Sequence, residues 1–383
     1  MNVPPILRGK RIGLLTASAS RLGGGVFEAV VNQAALIGRL GGEPIVVALA
    51  DRFSAADRAR FGATEVLHLP VRGPAQIGYA PGLLDALRAA QLDCLHLHGI
   101  WMYPSVAAQR WRRQTGRAYL ISPHGMLDPW ITARGRWKKA LARWGYERSS
   151  WQAASAFHAL TSREADDIAC ESGRGVSLVI PNAGPPVAAP VTAPRAPHLL
   201  FISRIHPKKN LAPLIAAWCE LAAADALPPD ARLTLAGWGE PGDVAALTAR
   251  LGDAPPSLQF IGPFFGADKA RTLGESRFVV LPSLSEGLPM TLLEAWAAGT
   301  PTLQTPACNL PEGLAAGAAL VCGTDRTSIK QALIRALAMP DAEWLAMAQA
   351  AQRLASGRFS GERIAQQWGE AYARLIAEPG APS

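Results

Sequence analysis

The sequence predicts an α/β protein built from two doubly wound, parallel-sheet domains. Short runs rich in Val, Ile and Leu alternate with longer helical patterns in both halves of the 383 residues. That is the pattern of strands buried on both faces and joined by crossover helices. A proline-rich stretch breaks the alternation near the middle, after which it restarts. The length suits two domains of roughly 150 residues or more.

In the first half, strands are expected near residues 11–17, 44–50, 92–97, 118–122, 156–159 and 176–180. Helices fall between them near 26–40, 81–90, 106–114, 137–147 and 163–171. Residues 183–197 hold five prolines and no apolar periodicity. They read as a linker, because proline lacks a donor and resists both helix and central strand. Strands are expected again near 198–203, 232–236 and 278–281, with helices near 211–224, 289–298, 327–338 and 344–356. A last helix near 362–376 places Ile364, Trp368, Tyr372 and Ile376 at a spacing of four. Domains of 1–182 and 183–360 follow, with a cleft between them and ligands at strand carboxyl ends.

The composition, 49% hydrophobic and 18% charged, excludes a disordered chain. Five scattered cysteines without a CxxC spacing suggest neither a disulfide framework nor a zinc site. A reducing, cytoplasmic setting is therefore expected. The apolar run at 12–17 is too short for a signal peptide, and no stretch approaches the ~20 residues that span a bilayer.

Net charge is +8, and it is unevenly placed. Residues 1–182 carry 22 Lys/Arg against 13 Asp/Glu, whereas residues 183–383 carry 16 against 17. The window 101–150 alone holds 10 basic and 2 acidic side chains, with Trp101, Trp111, Trp130, Trp137 and Trp144. Cations interleaved with aromatics attract anionic lipid headgroups, so an anionic membrane surface is a candidate partner. A solvated face with its tryptophans in the core is the plainer alternative. No nucleic-acid-binding module is recognised.

Four constellations carry chemistry. Pro282-Ser283-Leu284-Ser285-Glu286-Gly287-Leu288-Pro289 runs from an apolar strand into a helix containing Glu294. Pro289 fits the first helical position, and free amides near Gly287 and Leu288 would form an anion site at the helix start. Glu286 and Glu294 suit hydroxyl recognition, although acidic residues at a helix start also simply complement its dipole. Ser203-Arg204-Ile205-His206-Pro207-Lys208-Lys209-Asn210 supplies cations at another strand end, where Arg204 and Lys209 would compensate a departing diphosphate. No Asp-x-Asp pair is present to recruit a metal for that role. Ser20-Arg21-Leu22-Gly23-Gly24-Gly25 would let a ligand approach the backbone closely, or serve as a tight connection. Finally, His96-x-His98-Gly99 and Pro123-His124-Gly125 each set a histidine at a strand end, suited to a sugar hydroxyl or to a developing positive charge. A metal pair at His96 and His98 lacks a third ligand.

In combination these runs resemble the retaining nucleotide-sugar glycosyltransferases of family 4, also called group 1, which have the GT-B fold. Glu286 and Glu294 match the family's E-x7-E element, and Arg204 with Lys209 matches its arginine–lysine pair. Leu235-Ala236-Gly237-Trp238-Gly239 resembles its glycine turn, Val179-Ile180-Pro181-Asn182 its interdomain crossover, and Gly24-Gly25 its first-domain turn. The His124 loop is similar to that of bacterial exopolysaccharide and lipopolysaccharide transferases.

The resemblance implies two Rossmann-like domains facing each other across a cleft, with a terminal helix, 361–383, returning to the first. Glu294 would hold the nucleotide ribose; Glu286 and the amides of Gly287 and Leu288, before Pro289, would hold the sugar and phosphate. Arg204 and Lys209 would clamp the diphosphate beside Gly237, with His124 near the sugar and Gly24 and Gly25 near the phosphate and acceptor. No metal or other cofactor is expected. The partners implied are a nucleotide-sugar donor and a glycan or lipid-linked acceptor, in bacterial surface polysaccharide synthesis, and the basic window 101–150 adds the expectation of peripheral placement on the inner membrane face. The family's glycine after the lysine is Asn210 here, for which helix-capping geometry is expected. Alternatives are a nucleotide-sugar epimerase of the same fold, a non-catalytic membrane-associated binding protein, and a nicotinamide dehydrogenase using Asp51.

Overall fold

A computed structural model describes residues 5–132, 135–175, 178–264 and 266–378. By contact the chain divides into two units, one of residues 1–181 with 364–383 and one of residues 182–363.

The first unit is a parallel sheet of β1 (Arg11–Thr16), β2 (Glu43–Leu49), β3 (Glu65–Leu69), β4 (Cys94–His98), β5 (Ala118–Ser122), β6 (Ala156–Ala159) and β7 (Leu178–Val179). Its order is β3-β2-β1-β4-β5-β6-β7, so the winding reverses between β1 and β4. Leu14 pairs with His96 there, and His98 with Ser122 on β5. The central strands are buried on both faces, which is why they read as unbroken apolar runs. Of the strand expected at 176–180, the first two residues lie outside the described set.

The second unit repeats the plan with β8 (His198–Ile202), β9 (Arg232–Ala236), β10 (Leu258–Phe260), β11 (Phe278–Leu281), β12 (Thr302–Gln304) and β13 (Ala319–Val321). The order β10-β9-β8-β11-β12-β13 puts its reversal between β8 and β11. Trp218, Trp296, Trp344 and Phe359 fill its core.

Three sequence expectations change. The proline-rich 183–197 segment is fastened to the second unit rather than free. Gly184 N–H donates to Phe359 C=O and Val191 N–H to Gln352 Oε1. Arg195 reaches Thr300 Oγ1 and the carbonyls of Ser276 and Ala298. Extended chain without self-pairing must find such partners where it packs. The helix expected at 137–147 stops at Ala142 and continues as a π-helical turn, Arg143–Glu147, followed by a further helix, Arg148–Ala153. That wide turn ends with Glu147 inside the unit, accepting from Trp101 N at 2.5 Å and Ser105 Oγ at 2.8 Å. Pro289 is the N-cap rather than the first helical residue, and the helix runs Met290–Ala297.

The terminal helix Gly361–Ala377 packs on the first unit through Trp368 and Tyr372, both buried. Trp368 lies 4.6 Å from the His158 ring and 5.2 Å from Tyr372.

Candidate active site

Ligands of doubly wound sheets bind beyond the strand carboxyl ends where the winding reverses. In the second unit those ends are β8 and β11, and the cationic and glutamate-bearing loops leave from them. Three bonds join the loops: Leu284 N–H to Lys208 C=O at 2.8 Å, Asn210 Nδ2 to Pro282 C=O at 3.2 Å, and Lys209 Nζ to Glu286 Oε1. Asn210 is left-handed, φ 59°, and stands at the N-cap of the helix Leu211–Ala223. It makes no side-chain cap; its amide instead ties Pro282 to Thr324.

The sequence separates the roles of Lys209 and Glu286, whereas the structure pairs them. Both are buried, 6% and 8% exposed. Burial pulls the Lys209 ammonium below its ordinary range, and Glu286 opposes that. One carboxylate leaves two ammonium protons for a further acceptor. Next to the pair, Gly287 and Leu288 amides have no protein acceptor among the described residues, and they precede the positive end of the helix Met290–Ala297. Glu286 N–H itself is taken by Ala307 C=O at 3.0 Å, and Asn309 Nδ2 holds the Glu286 carbonyl at 2.5 Å.

Glu294 is paired as well, with Lys269 at 2.5 Å. Lys269 was missed, because its helix Gly266–Glu275 buries one leucine, too small an apolar face to mark it, and nothing local links it to Glu294. Arg204 is half-exposed, 5.4 Å above the Trp238 ring and 3.4 Å from Glu240. Gly237 has a structural reason to be glycine: at φ 146° a Cβ would lie 1.8 Å from Ser203 C=O. Gly24 adopts φ 54°, ψ −127°, and a Cβ at Gly24 or Gly25 would meet nothing within 4 Å. Backbone geometry requires Gly24, and the turn is open to close approach.

In the first unit, His96, Ser122 and His158 form a buried relay whose direction follows from its ends. His158 Nε2 faces the Ile180 carbonyl at 2.8 Å and must donate. His158 Nδ1 therefore accepts from Ser122 Oγ at 2.7 Å, and Ser122 accepts from His96 Nε2 at 2.6 Å. His96 Nδ1 then accepts from Tyr372 OH at 2.8 Å, and Tyr372 accepts from Gln33 at 3.0 Å. Burial keeps these imidazoles neutral, His158 down to about 4 and His96 well below its usual range. His124, φ 54°, sits beyond β5, half-buried. Burial draws Glu147 up to about 7.

Asp51 does not suit a dinucleotide ribose. Its carboxylate accepts from Ser18 Oγ, Ser20 Oγ and Phe53 N–H, at 2.7, 2.8 and 2.8 Å, and so braces the glycine turn. Among the described residues no cluster of three or more His, Cys, Asp or Glu side chains is placed to hold a metal ion, and no helix is long and apolar enough to cross a membrane.

Residues 24–183 match the family model of glycosyl transferase 4-like domains, and residues 196–339 match that of glycosyl transferases group 1. The chain belongs to the group 1 glycosyltransferases. Among solved structures, this glycosyltransferase is similar to HepE of Anabaena, solved with UDP and glucose, at 19% identity and TM-score 0.74 over 96% of this chain and 100% of that one. It also resembles the sucrose-phosphate synthase of Thermosynechococcus elongatus, at 19% identity and TM-score 0.72 over 96% and 99% of the two chains. WaaG, a glycosyltransferase involved in lipopolysaccharide biosynthesis, aligns at 16% identity and TM-score 0.65 over 97% and 100%. These likenesses establish the GT-B architecture of two Rossmann-like domains. No curated protein matches the chain in sequence.

Proposed function

We propose that this glycosyltransferase moves a sugar from a nucleoside diphosphate to a glycan or lipid-linked acceptor with retention of anomeric configuration, in bacterial surface polysaccharide synthesis. The observation that carries the donor assignment is the buried Lys209–Glu286 pair beside the free Gly287 and Leu288 amides at the reversal point of the second sheet. Lys209, the amides and Arg204 would receive the diphosphate, Glu286 would orient Lys209 and contact the sugar, and Glu294 would take the ribose hydroxyls in place of Lys269. HepE, solved with UDP-glucose, supports a nucleotide-sugar donor.

In the reaction the bond from the anomeric carbon to the phosphate oxygen breaks as the bond to the acceptor oxygen forms on the same face. The acceptor proton passes to the departing phosphate oxygen. Fixed cations and amide dipoles stabilise the growing negative charge, so no divalent ion is required. Incubation with a panel of UDP-, GDP- and ADP-sugars in EDTA tests this. Acceptor-dependent release of one nucleoside diphosphate is expected, with a product that keeps the anomeric configuration of the donor. Epimerised donor without transfer, or no turnover of any donor, would contradict it.

The acceptor side would meet an anionic membrane surface. Of the tryptophans in the basic window, Trp111 is in the core and Trp101 packs on Trp151, so neither serves a surface; the Trp130 side chain and Arg134 lie outside the described residues. Trp137, Leu141 and Trp144 are 66%, 61% and 82% exposed. Their i, i+4, i+7 spacing lines one side of a helical segment that also carries the exposed Arg136 and Lys138, whereas Lys139 donates to the Ile131 carbonyl and Arg143 is paired with Glu171. An apolar stripe with basic flanks complements anionic headgroups.

A further inference from the structure

His98 ends β4, in register with Ser122 of β5, two residues before His124. Its Nδ1 lies 2.9 Å from His124 Nε2, and the two rings stack with centroids 5.2 Å apart and an interplanar angle of 19°. His98 is 3% exposed, and the His96 ring lies 4.0 Å beneath it. His96 is itself locked through both nitrogens by Tyr372 and Ser122. The His124 loop is held from the other side, where Gly125 N–H donates to one Glu164 oxygen at 2.6 Å and Leu160 N–H to the other at 2.8 Å.

Of the two facing nitrogens, one must carry the proton and the other the lone pair. Burial lowers both imidazoles, so neither ring is doubly protonated at neutral pH. His98 Nε2 is buried and has no partner among the described residues. If His124 donated, that orphan would be an N–H; if His98 donates, it is a bare lone pair. Among buried backbone groups an N–H without an acceptor is a rarer defect than an under-used lone pair, and by the same ordering the bare lone pair on His98 is preferred. His124 Nδ1, in contrast, has no protein partner among the described residues and sits on a half-buried ring open to a ligand.

We propose that His98 is a positioning residue that donates from Nδ1 to His124 Nε2, fixing His124 in the tautomer protonated on Nδ1 and making it a hydrogen-bond donor to a sugar hydroxyl rather than a proton acceptor. The substrate role of His124 rests on the glycosyl-transfer reading; the tautomer does not. The tautomer is read directly by long-range 15N–1H NMR on the full chain. The Nδ1-protonated pattern is expected for His124 in the wild type, and in His98→Leu a shift toward the Nε2-protonated pattern. In donor-dependent turnover, His124→Ala and His98→Leu should each lower kcat at least tenfold. His98→Asn, which can place an amide N–H where Nδ1 lay, should recover most of the His98→Leu loss.

An Nε2-protonated His124 in the wild type overturns the inference, and because it needs no variant, a misfolded His98→Leu cannot obscure it. So does full turnover of a folded His98→Leu when His124→Ala is impaired. Full turnover of His124→Ala removes that histidine from substrate binding, while the wild-type NMR pattern still decides the role of His98.

Discussion

Lys209 and Glu286 sit where either charge alone is penalised. Lys209→Met leaves a buried carboxylate without its cation, a loss of about 3–5 kcal/mol. Under the proposed function it also removes a donor to the leaving group, an expected loss of about 10²-fold in turnover. Lys209→Met with Glu286→Leu should recover most of the melting temperature and none of the activity, because well-packed apolar pairs replace buried ion pairs at little cost. Thermal melts and donor-dependent turnover of the two variants check this. A second prediction concerns His158, held near 4 in the folded chain against an ordinary 6.5. Between those values the unfolded chain binds a proton that the folded chain does not, so stability rises with pH through that window and is lost as pH falls. His158→Gln should therefore flatten the pH dependence of the urea midpoint between pH 5 and pH 6.5 relative to wild type. Glu147, raised to about 7, contributes the opposite slope, but equally in both proteins.

At the scale of elements, the terminal helix is bonded to the first sheet, among the described residues, through the Tyr372 hydroxyl. Tyr372→Phe deprives His96 Nδ1 of its donor and Gln33 of its acceptor. Leaving such buried groups unpaired costs about 1–3 kcal/mol each, and differential scanning calorimetry should show the loss. The central strands and the helices bearing Trp218, Trp296 and Trp368 were legible because burial on a regular period writes itself into residue type. Strand β3, with Glu65 and His68 among its five residues, was not. Neither were β10, β12 and β13, of three residues each, since so few positions carry no period. The helices Pro241–Arg250 and Gly266–Glu275 each bury one leucine, too little to mark an apolar face. The motif residues were found because strand-end loops keep their chemistry local in sequence. Their pairings were not, because Lys209 with Glu286 and His98 with His124 are set by which strand ends adjoin, and Glu294 with Lys269 by which helices pack together.

At the scale of the whole molecule, charge is divided by unit, with the excess in residues 101–150. If the Trp137–Leu141–Trp144 stripe meets lipid, the wild type floats with vesicles of anionic phospholipid at low salt and not with zwitterionic ones. Trp137→Ala with Trp144→Ala should stay in solution while melting normally, since both side chains are exposed. Wild-type protein left in solution with anionic vesicles would rule the surface out. The central claim, that protein cations and amides grip a diphosphate in the second unit, is tested most directly by calorimetric titration of UDP, GDP and ADP in EDTA. The account predicts saturable binding of at least one of them to the wild type, and loss of that binding in Lys209→Met with Glu286→Leu. No binding of any nucleoside diphosphate, or equal binding by the double variant, would contradict it.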